Sequence, residues 1–553
     1  MIWWIGAALA GHEVLVGAME AELDRSMTEL RLPEEAPPYL LTYDLVDGAY
    51  TTSFAEFGAL LRDDSNPHRV VRIELRTGDA QFDSANFESF GEPSGVIQVN
   101  LPQDDNELAL RRELWMATDV AYKQAVEQLS RKTAELEPPQ DDEVAILPME
   151  PVVDLTAEAR DIDPDRIREA VTHLSGVLAE YPEFESGQAA GRDWQGVRIT
   201  VSSEGTRLAQ PTGFAVVRVE AVLKHEDGSR LRNGRWWVAE SASALPSLDE
   251  MEAEVREMAD WLVALEDAPV LDEYLGPVLF EEEASVELFR QLAAPEMVGS
   301  PPPAEGRGIF GEVSDKRPQA RVGRRLLPEG WTVTDNPSAD VLGGYTWDYE
   351  GVPGQTITVV QDGVVRRLLQ SRIPGTASES TGHGRALGSD RREALPSVVQ
   401  VTPKRARSDR ALRRKALRLA EQTGHDSVLV IRRIEPPAMT EDFDVFFTGD
   451  GPPPGLTRPY EAYLLHKDGT TTPVRGLRFS GVDRRVMRDI VIAGEPSDYV
   501  GVLDDQPGPG RFHVGAVGGM PCSWSAPPVV IAEIELVGSK GGETREIPRP
   551  PRD

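Results

Sequence analysis

The chain is predicted to be an α+β protein of two domains, a mixed α/β N-terminal domain followed by an antiparallel β-rich C-terminal domain. Three observations carry that expectation. At 553 residues the chain exceeds the roughly 250–300 residues that one hydrophobic core serves. The first half interleaves apolar positions at helical spacing with short β-rich runs, whereas β-runs and glycine turns dominate beyond about residue 270. Apolar residues make up 40% and charged residues 27%, with a mean hydropathy of −0.34, the composition of a folded chain with a sizeable core.

Taken in order, residues 14–30 place Leu15, Met19, Leu23, Met27 and Leu30 on one helical face. Before them, Ile2 to Ala10 is apolar and Ala8-Leu9-Ala10 resembles a signal-peptidase site, without a positive n-region. Two readings of residues 1–13 stay open, a leader remnant and a frayed apolar terminus. After Pro37-Pro38, the runs YLLTYDLVD, AYTTSF and VVRIELRTG, bounded by Gly, Asp and Asn, predict a meander. Residues 106–136 predict a long helix, stopped by Glu137-Pro138-Pro139 and the acidic linker QDDE. A helix over 164–180 precedes strands near 195–203, 213–224 and 235–241.

Ser247 and Glu250 form a capping box, each side chain satisfying a backbone N–H that the helix leaves orphaned. Leu248, Met251, Val255, Met258, Leu262 and Leu265 are the buried stripe behind it. A boundary near residue 270 divides the chain into domains 14–270 and 271–538. Proline segments SPPPAEG and GPPPGL interrupt the second, and SKGGETREIPRPPRD (539–553) is predicted as a disordered tail. No repeat of fixed period is present.

The net charge of −34 opposes nucleic acid and anionic lipid, so a nucleic-acid partner is not expected. No run of 18 apolar residues supports a transmembrane helix. The one cysteine, Cys522, excludes intrachain disulfides and a multi-thiolate zinc site, leaving His, Asp and Glu as metal ligands. The basic run KRARSDRALRRKALR (404–418) carries Leu412, Ala416 and Leu419 at helical spacing, so its cations are expected on a solvated face or against acidic surface. A GxSxG elbow and a GxxxxGK[ST] loop are absent, and GHGRALG has the wrong spacing for a dinucleotide loop.

Several segments together resemble the TldD/PmbA (TldE) family of metalloprotease-related proteins, once called modulators of DNA gyrase. They are SSEGTRLAQP (202–211), GPVLFEEEASVELFRQL (276–292), GGYTWDYEGVPGQTITVVQDGVVRRLLQSR (343–372), TGHGRA (381–386) and PVRGLRFSGVDRRVMRDIVIAG (473–494), in the family's order. The resemblance implies the two-domain layout and a cytoplasmic location, with export still open if residues 1–10 end a signal peptide. TldD-type subunits carry HExxxH on the helix after a strand like GPVLF, binding zinc with a downstream cysteine. On that pattern Phe289 and Arg290 fall at the first His and the Glu, and Ala294 at the second His. Phenylalanine and alanine donate no lone pair, and arginine is a permanent cation. Cys522 lies too close to Pro527 to take the family cysteine's role.

Glu281, Glu282 and Glu283 are therefore expected to complement the positive end of their helix rather than to bind metal. The resemblance places Glu204 in SSEGT and Asp348 and Glu350 in WDYEG on turns near an interdomain cavity, with His383 within reach. Ordinary turn chemistry explains Asp348 and Glu350 equally well and Glu204 better, and a lone loop histidine such as His383 is ordinarily a solvated or hydrogen-bonded side chain. The expected function is a TldE-like, non-catalytic subunit involved in proteolysis. It has no cofactor of its own, and it encloses unfolded peptide with a zinc-bearing TldD-like partner or a further copy of itself. Two alternatives stand beside it: a stand-alone peptide-binding scaffold, and a metallopeptidase with a site rebuilt from Asp348, Glu350 and His383.

Overall fold

The first helix begins one residue before its expected start, because the apolar stripe that defines it, Leu15, Met19 and Leu23, packs on a sheet. In this computed structural model residues 12–88, 95–136, 144–301, 303–305, 321–374, 379–386, 391–437, 455–504 and 519–538 are described. Residues 1–11 of the expected leader, the QDDE linker, parts of both proline segments and the tail lie outside them. Among the described residues no helix is long and apolar enough to cross a membrane.

Helices α1 (Glu13–Glu29), α2 (Glu107–Glu135), α3 (Pro164–Leu178) and α4 (Leu248–Ala264) accompany seven strands. These are β1 (Pro38–Glu56), β2 (Ala59–Thr77), β3 (Val96–Asn100), β4 (Val153–Asp154), β5 (Phe184–Ser202), β6 (Arg207–Lys224) and β7 (Arg230–Ala239). Their order is β3-β2-β1-β5-β6-β4, with β7 also on β6. Helix starts follow their caps: Asn106 accepts from Ala109 N–H, Asp163 from Arg166 N–H ahead of Pro164, and Ser247 and Glu250 close the expected box. Odd-numbered residues of β1, β5 and β6, among them Leu45, Ile199 and Val217, meet the helices, so all four helices share one face.

The expected three-run meander is instead a hairpin of two 19-residue strands. Gly48 does not end β1. It faces Gly196 across β5, where a Cβ would stand 2.2 Å from the Gln195 carbonyl oxygen. Glycine there permits close backbone approach, not a turn.

The C-terminal half holds β8 (Glu273–Phe280), α5 (Glu282–Met297), β9 (Thr332–Asp335), β10 (Ile357–Gln361), β11 (Val364–Val365), β12 (Val398–Thr402), α6 (Asp409–Gln422) and β13 (Ser427–Ile434). It continues with β14 (Pro459–His466), β15 (Thr471–Val474), β16 (Leu477–Phe479), β17 (Ile490–Ala493), β18 (Val500–Asp504), β19 (Met520–Ser525) and β20 (Val529–Gly538). One sheet runs β11-β10-β9-β12-β19-β18 and another β15-β14-β13-β8-β20-β16, with β17 on β20. Two pairings, β8 with β13 and β12 with β19, are parallel, so these sheets are mixed rather than wholly antiparallel. Parallel partners need a crossover, and α6 leads directly into β13.

Helix α5 is packed into the largest core, with residues of both sheets around it, such as Phe280, Leu429, Val359 and Trp524. Leu412, Ala416 and Ala420 of α6 cover Leu279, Val428 and Val430, which alternate with the α5-facing Val278, Phe280, Leu429 and Ile431. Both faces of that sheet are buried here, which is why its strands read as continuous apolar runs.

Candidate functional site

Glu281 caps α5 from extended backbone, and its carboxylate meets Arg413 at 3.1 Å and accepts from the Tyr463 hydroxyl at 3.1 Å. Glu283 pairs with Arg433. Glu281 and Glu283 are thus neutralised by specific cations, beyond the helix dipole that the sequence suggested. Arg413 belongs to the basic run, and one of its cations meets acidic surface of the same chain.

About two turns further, Phe289 is fully buried, its ring centroid 6.1 Å from that of Trp331. Arg290 is 4% exposed and pairs with Glu287 at 2.9 Å, a bond internal to the helix. Ala294 is fully buried in the same core. The zinc ion that the resemblance implies does not fit these residues: an aromatic ring, an ion-paired guanidinium and a methyl group supply no ligand. Among the described residues no three His, Cys, Asp or Glu side chains are grouped to hold a metal ion.

The acidic turn sits elsewhere, where the C-terminal half covers the helix-free face of the N-terminal sheet. Asp348 is buried, and its carboxylate accepts from the backbone N–H of Glu350 and Val352, each at 2.9 Å, and of Gly384 at 2.8 Å. Glu350 accepts from Arg372 N–H at 2.6 Å. Burial, then the charge of Glu350, pushes Asp348 up to about 8, against the pull of its amide donors. Burial also raises Glu350, against Arg372 and Arg392. Two adjacent buried carboxyls then share a preference for keeping a proton.

Glu204 does join this group, through Arg372. The guanidinium grips Glu204 bidentately at 2.6 and 2.7 Å and donates Nε–H to the Leu147 carbonyl at 2.7 Å. His383 does not turn toward the carboxyls. Its Nδ1 lies 2.9 Å from the Thr381 hydroxyl, and its Nε2 is 3.7 Å from Asp335, too far for a hydrogen bond. Asp335 in turn accepts from the Ser397 hydroxyl and N–H, at 2.5 and 2.9 Å. Burial alone would raise Asp335, but the His383 imidazole and the Ser397 donors outweigh it and hold the carboxyl low. Asp348, Glu350 and His383 are at most 6% exposed.

Sequence reasoning missed the partners that organise this region. Arg392 reaches Asp44 of β1 at 3.2 Å and Glu74 of β2 at 3.4 Å. Asp44 also meets Arg198 at 2.7 Å, and Glu74 meets Arg72 and Arg76 at 2.8 and 2.7 Å. Arg198 stacks over the Tyr349 ring at 3.6 Å. Burial opposes ionisation of Glu74, yet Arg76, Arg72 and Arg392 hold its carboxyl well below the ordinary range. The signal was present in VRIELRT: Arg72, Glu74 and Arg76 alternate with Val71, Ile73 and Leu75, which predicts a wholly charged strand face. All three are under 7% exposed.

Compared with known proteins, residues 273–424 match a family described as the PmbA/TldA metallopeptidase C-terminal domain. A protein described as a metalloprotease, from Methanothermobacter thermautotrophicus, is 37% identical over 54 residues, 10% of this chain and 12% of that relative's length. The alignment thus spans about an eighth of the curated relative. The crystal structure of TldE from Thermococcus kodakarensis superposes with a TM-score of 0.59 at 14% identity, covering 94% of this chain and all of that one. A Thermotoga maritima protein described as a modulator of a DNA gyrase gives 0.57 at 14% identity, with the same coverage. The α+β fold of those structures is the fold of this chain.

Proposed function

We propose, from the premise that this chain belongs to the TldD/PmbA family of metalloprotease-related proteins, that it is a TldE-like, non-catalytic subunit in proteolysis. In this reading it encloses an unfolded peptide with a TldD-like partner that carries HExxxH and zinc. One observation carries the proposal: the helix turn that would present metal ligands is packed shut, with Phe289 against Trp331 and Arg290 locked to Glu287. A buried guanidinium already satisfied by a carboxylate repels a divalent cation, and its removal would expose the core instead of opening a site.

The test is reconstitution. The purified chain alone is expected to carry less than a tenth of an equivalent of zinc and to leave an unstructured casein-derived peptide intact. Mixed with an HExxxH-bearing relative, it is expected to raise that partner's cleavage rate at least tenfold. Chelator-sensitive cleavage by the isolated chain, or no effect on the partner in any ratio, refutes the assignment.

A further inference from the structure

Between the two halves lies a cleft of about 240 Å³ that none of the candidate residues touches. One wall is the β6–β7 turn with the start of β7, residues 228–232. The other is the start of β14 together with residues 474–478. Five of its fifteen lining residues are arginine, namely Arg230, Arg232, Arg458, Arg475 and Arg478, and none is acidic. In a chain with a net charge of −34, a lining that holds five arginines and no acidic residue is a local concentration of guanidinium donors, four of them ion-paired from outside the lining.

Three of the five, the inner ones, are already ion-paired, Arg475 across the cleft to the other half. Arg232 is bound by Glu220, Arg458 by Glu435 through Nε and Nη2 at 3.1 Å each, and Arg475 by Asp227 at 2.8 Å. These carboxylates fix the guanidinium planes before any ligand arrives, which lowers the entropic cost of binding. Glu435 takes Nε and Nη2 of Arg458 side-on. At the rim, Arg230 is 57% exposed and contacts Glu185 at 3.3 Å, while Arg478 is exposed and has no ionic partner among the described residues. The cleft therefore joins ion-paired inner guanidiniums to two exposed outer ones.

We propose that this cleft is a binding site for a carboxylate or similar oxyanion, with the C-terminal carboxylate of a peptide as its ligand. The volume is below the roughly 300–1,000 Å³ of sites that enclose a whole small molecule, and it suits the end of a chain. Planar arginine forks match carboxylate and phosphate geometry alike. The choice of a peptide terminus over a free oxyanion rests on the reading under Proposed function; the anion site itself does not.

The experiment uses the full chain and three probes in isothermal titration calorimetry: N-acetyl-trialanine with a free carboxylate, the same peptide amidated, and inorganic phosphate. The free acid is expected to bind at least tenfold tighter than the amide and to be displaced by phosphate. The paired substitution Arg230→Gln with Arg478→Gln, at exposed positions that leave the fold intact by circular dichroism, is expected to weaken acid and phosphate at least tenfold. Phosphate binding that the variant abolishes, with neither peptide bound, upholds the anion site and assigns its ligand to free oxyanions. Equal binding of acid and amide without phosphate binding, or unchanged binding by the variant, overturns the proposal. Partner-dependent proteolysis is a separate readout, so either reading can fail alone.

Discussion

Arg372→Met is the most informative single perturbation of the junction between the two halves. The substitution keeps an unbranched stem of similar bulk and removes two charged bonds to Glu204, at 2.6 and 2.7 Å, and one to the Leu147 carbonyl, at 2.7 Å. Breaking one side of a buried pair costs about 3–5 kcal/mol. Here the guanidinium is only 5% exposed but Glu204 is 30% exposed, so water recovers part of the loss. The lower end applies, about 3 kcal/mol. Glu204→Gln retains the Leu147 bond and one acceptor, and about 1–2 kcal/mol is expected from it. Urea unfolding followed by tryptophan fluorescence measures both, and the double variant closes a cycle with a coupling of about 1–2 kcal/mol. A loss below about 0.5 kcal/mol for Arg372→Met, the range of ordinary surface substitutions, would refute the claim that this pair ties the halves together.

Two further outcomes follow from the same geometry. Arg290→Leu leaves Glu287, 4% exposed, without its guanidinium, and a destabilisation of about 3–5 kcal/mol is expected in the same urea assay; a neutral result would mean the turn is not locked. Asp348 holds its proton up to about pH 8 when folded but only to its ordinary 3.8 when unfolded, so the folded chain binds more protons between those values. Its contribution to stability is therefore complete below the ordinary value and fades as pH rises through about 8, with a slope of up to about −1.4 kcal/mol per pH unit. Asp348→Asn is expected to flatten the stability profile between pH 5 and 8, and superimposable profiles would exclude the assignment.

The helices were legible because their signals are local: Asn106, Asp163 and the Ser247–Glu250 box stand beside the apolar stripes they terminate. Strand lengths were not, because a glycine reads as a break unless its neighbour across the sheet is known. Gly48 faces Gly196, 148 positions away, and both sit mid-strand. The acidic turn and Glu204 were found as residues but not as a group, since what unites them, Arg372 and Arg392, comes from loops whose sequence has no period. Arg372 closes the segment LLQSR that the resemblance singled out, yet nothing in that run points to Glu204 on the other half. The resemblance put His383 within reach of those carboxyls, while its ring is held by Thr381 and faces Asp335.

The ion pairs that cross between the halves have one physical consequence in common. Arg392 with Asp44 and Glu74, Arg372 with Glu204, and Arg235 with Glu461 each take one partner from either half, and in all but Glu204 the side chains are under 10% exposed. Such pairs add little net stability over apolar packing, but each is costly to break, so they penalise every arrangement of the halves except one. The arginine-lined cleft lies on the same junction, and Arg475 with Asp227 spans it at 2.8 Å. Its walls are thereby fixed without a ligand. Helix α5 is committed to the core, while the junction holds its arginine-lined recess in one arrangement before any ligand arrives.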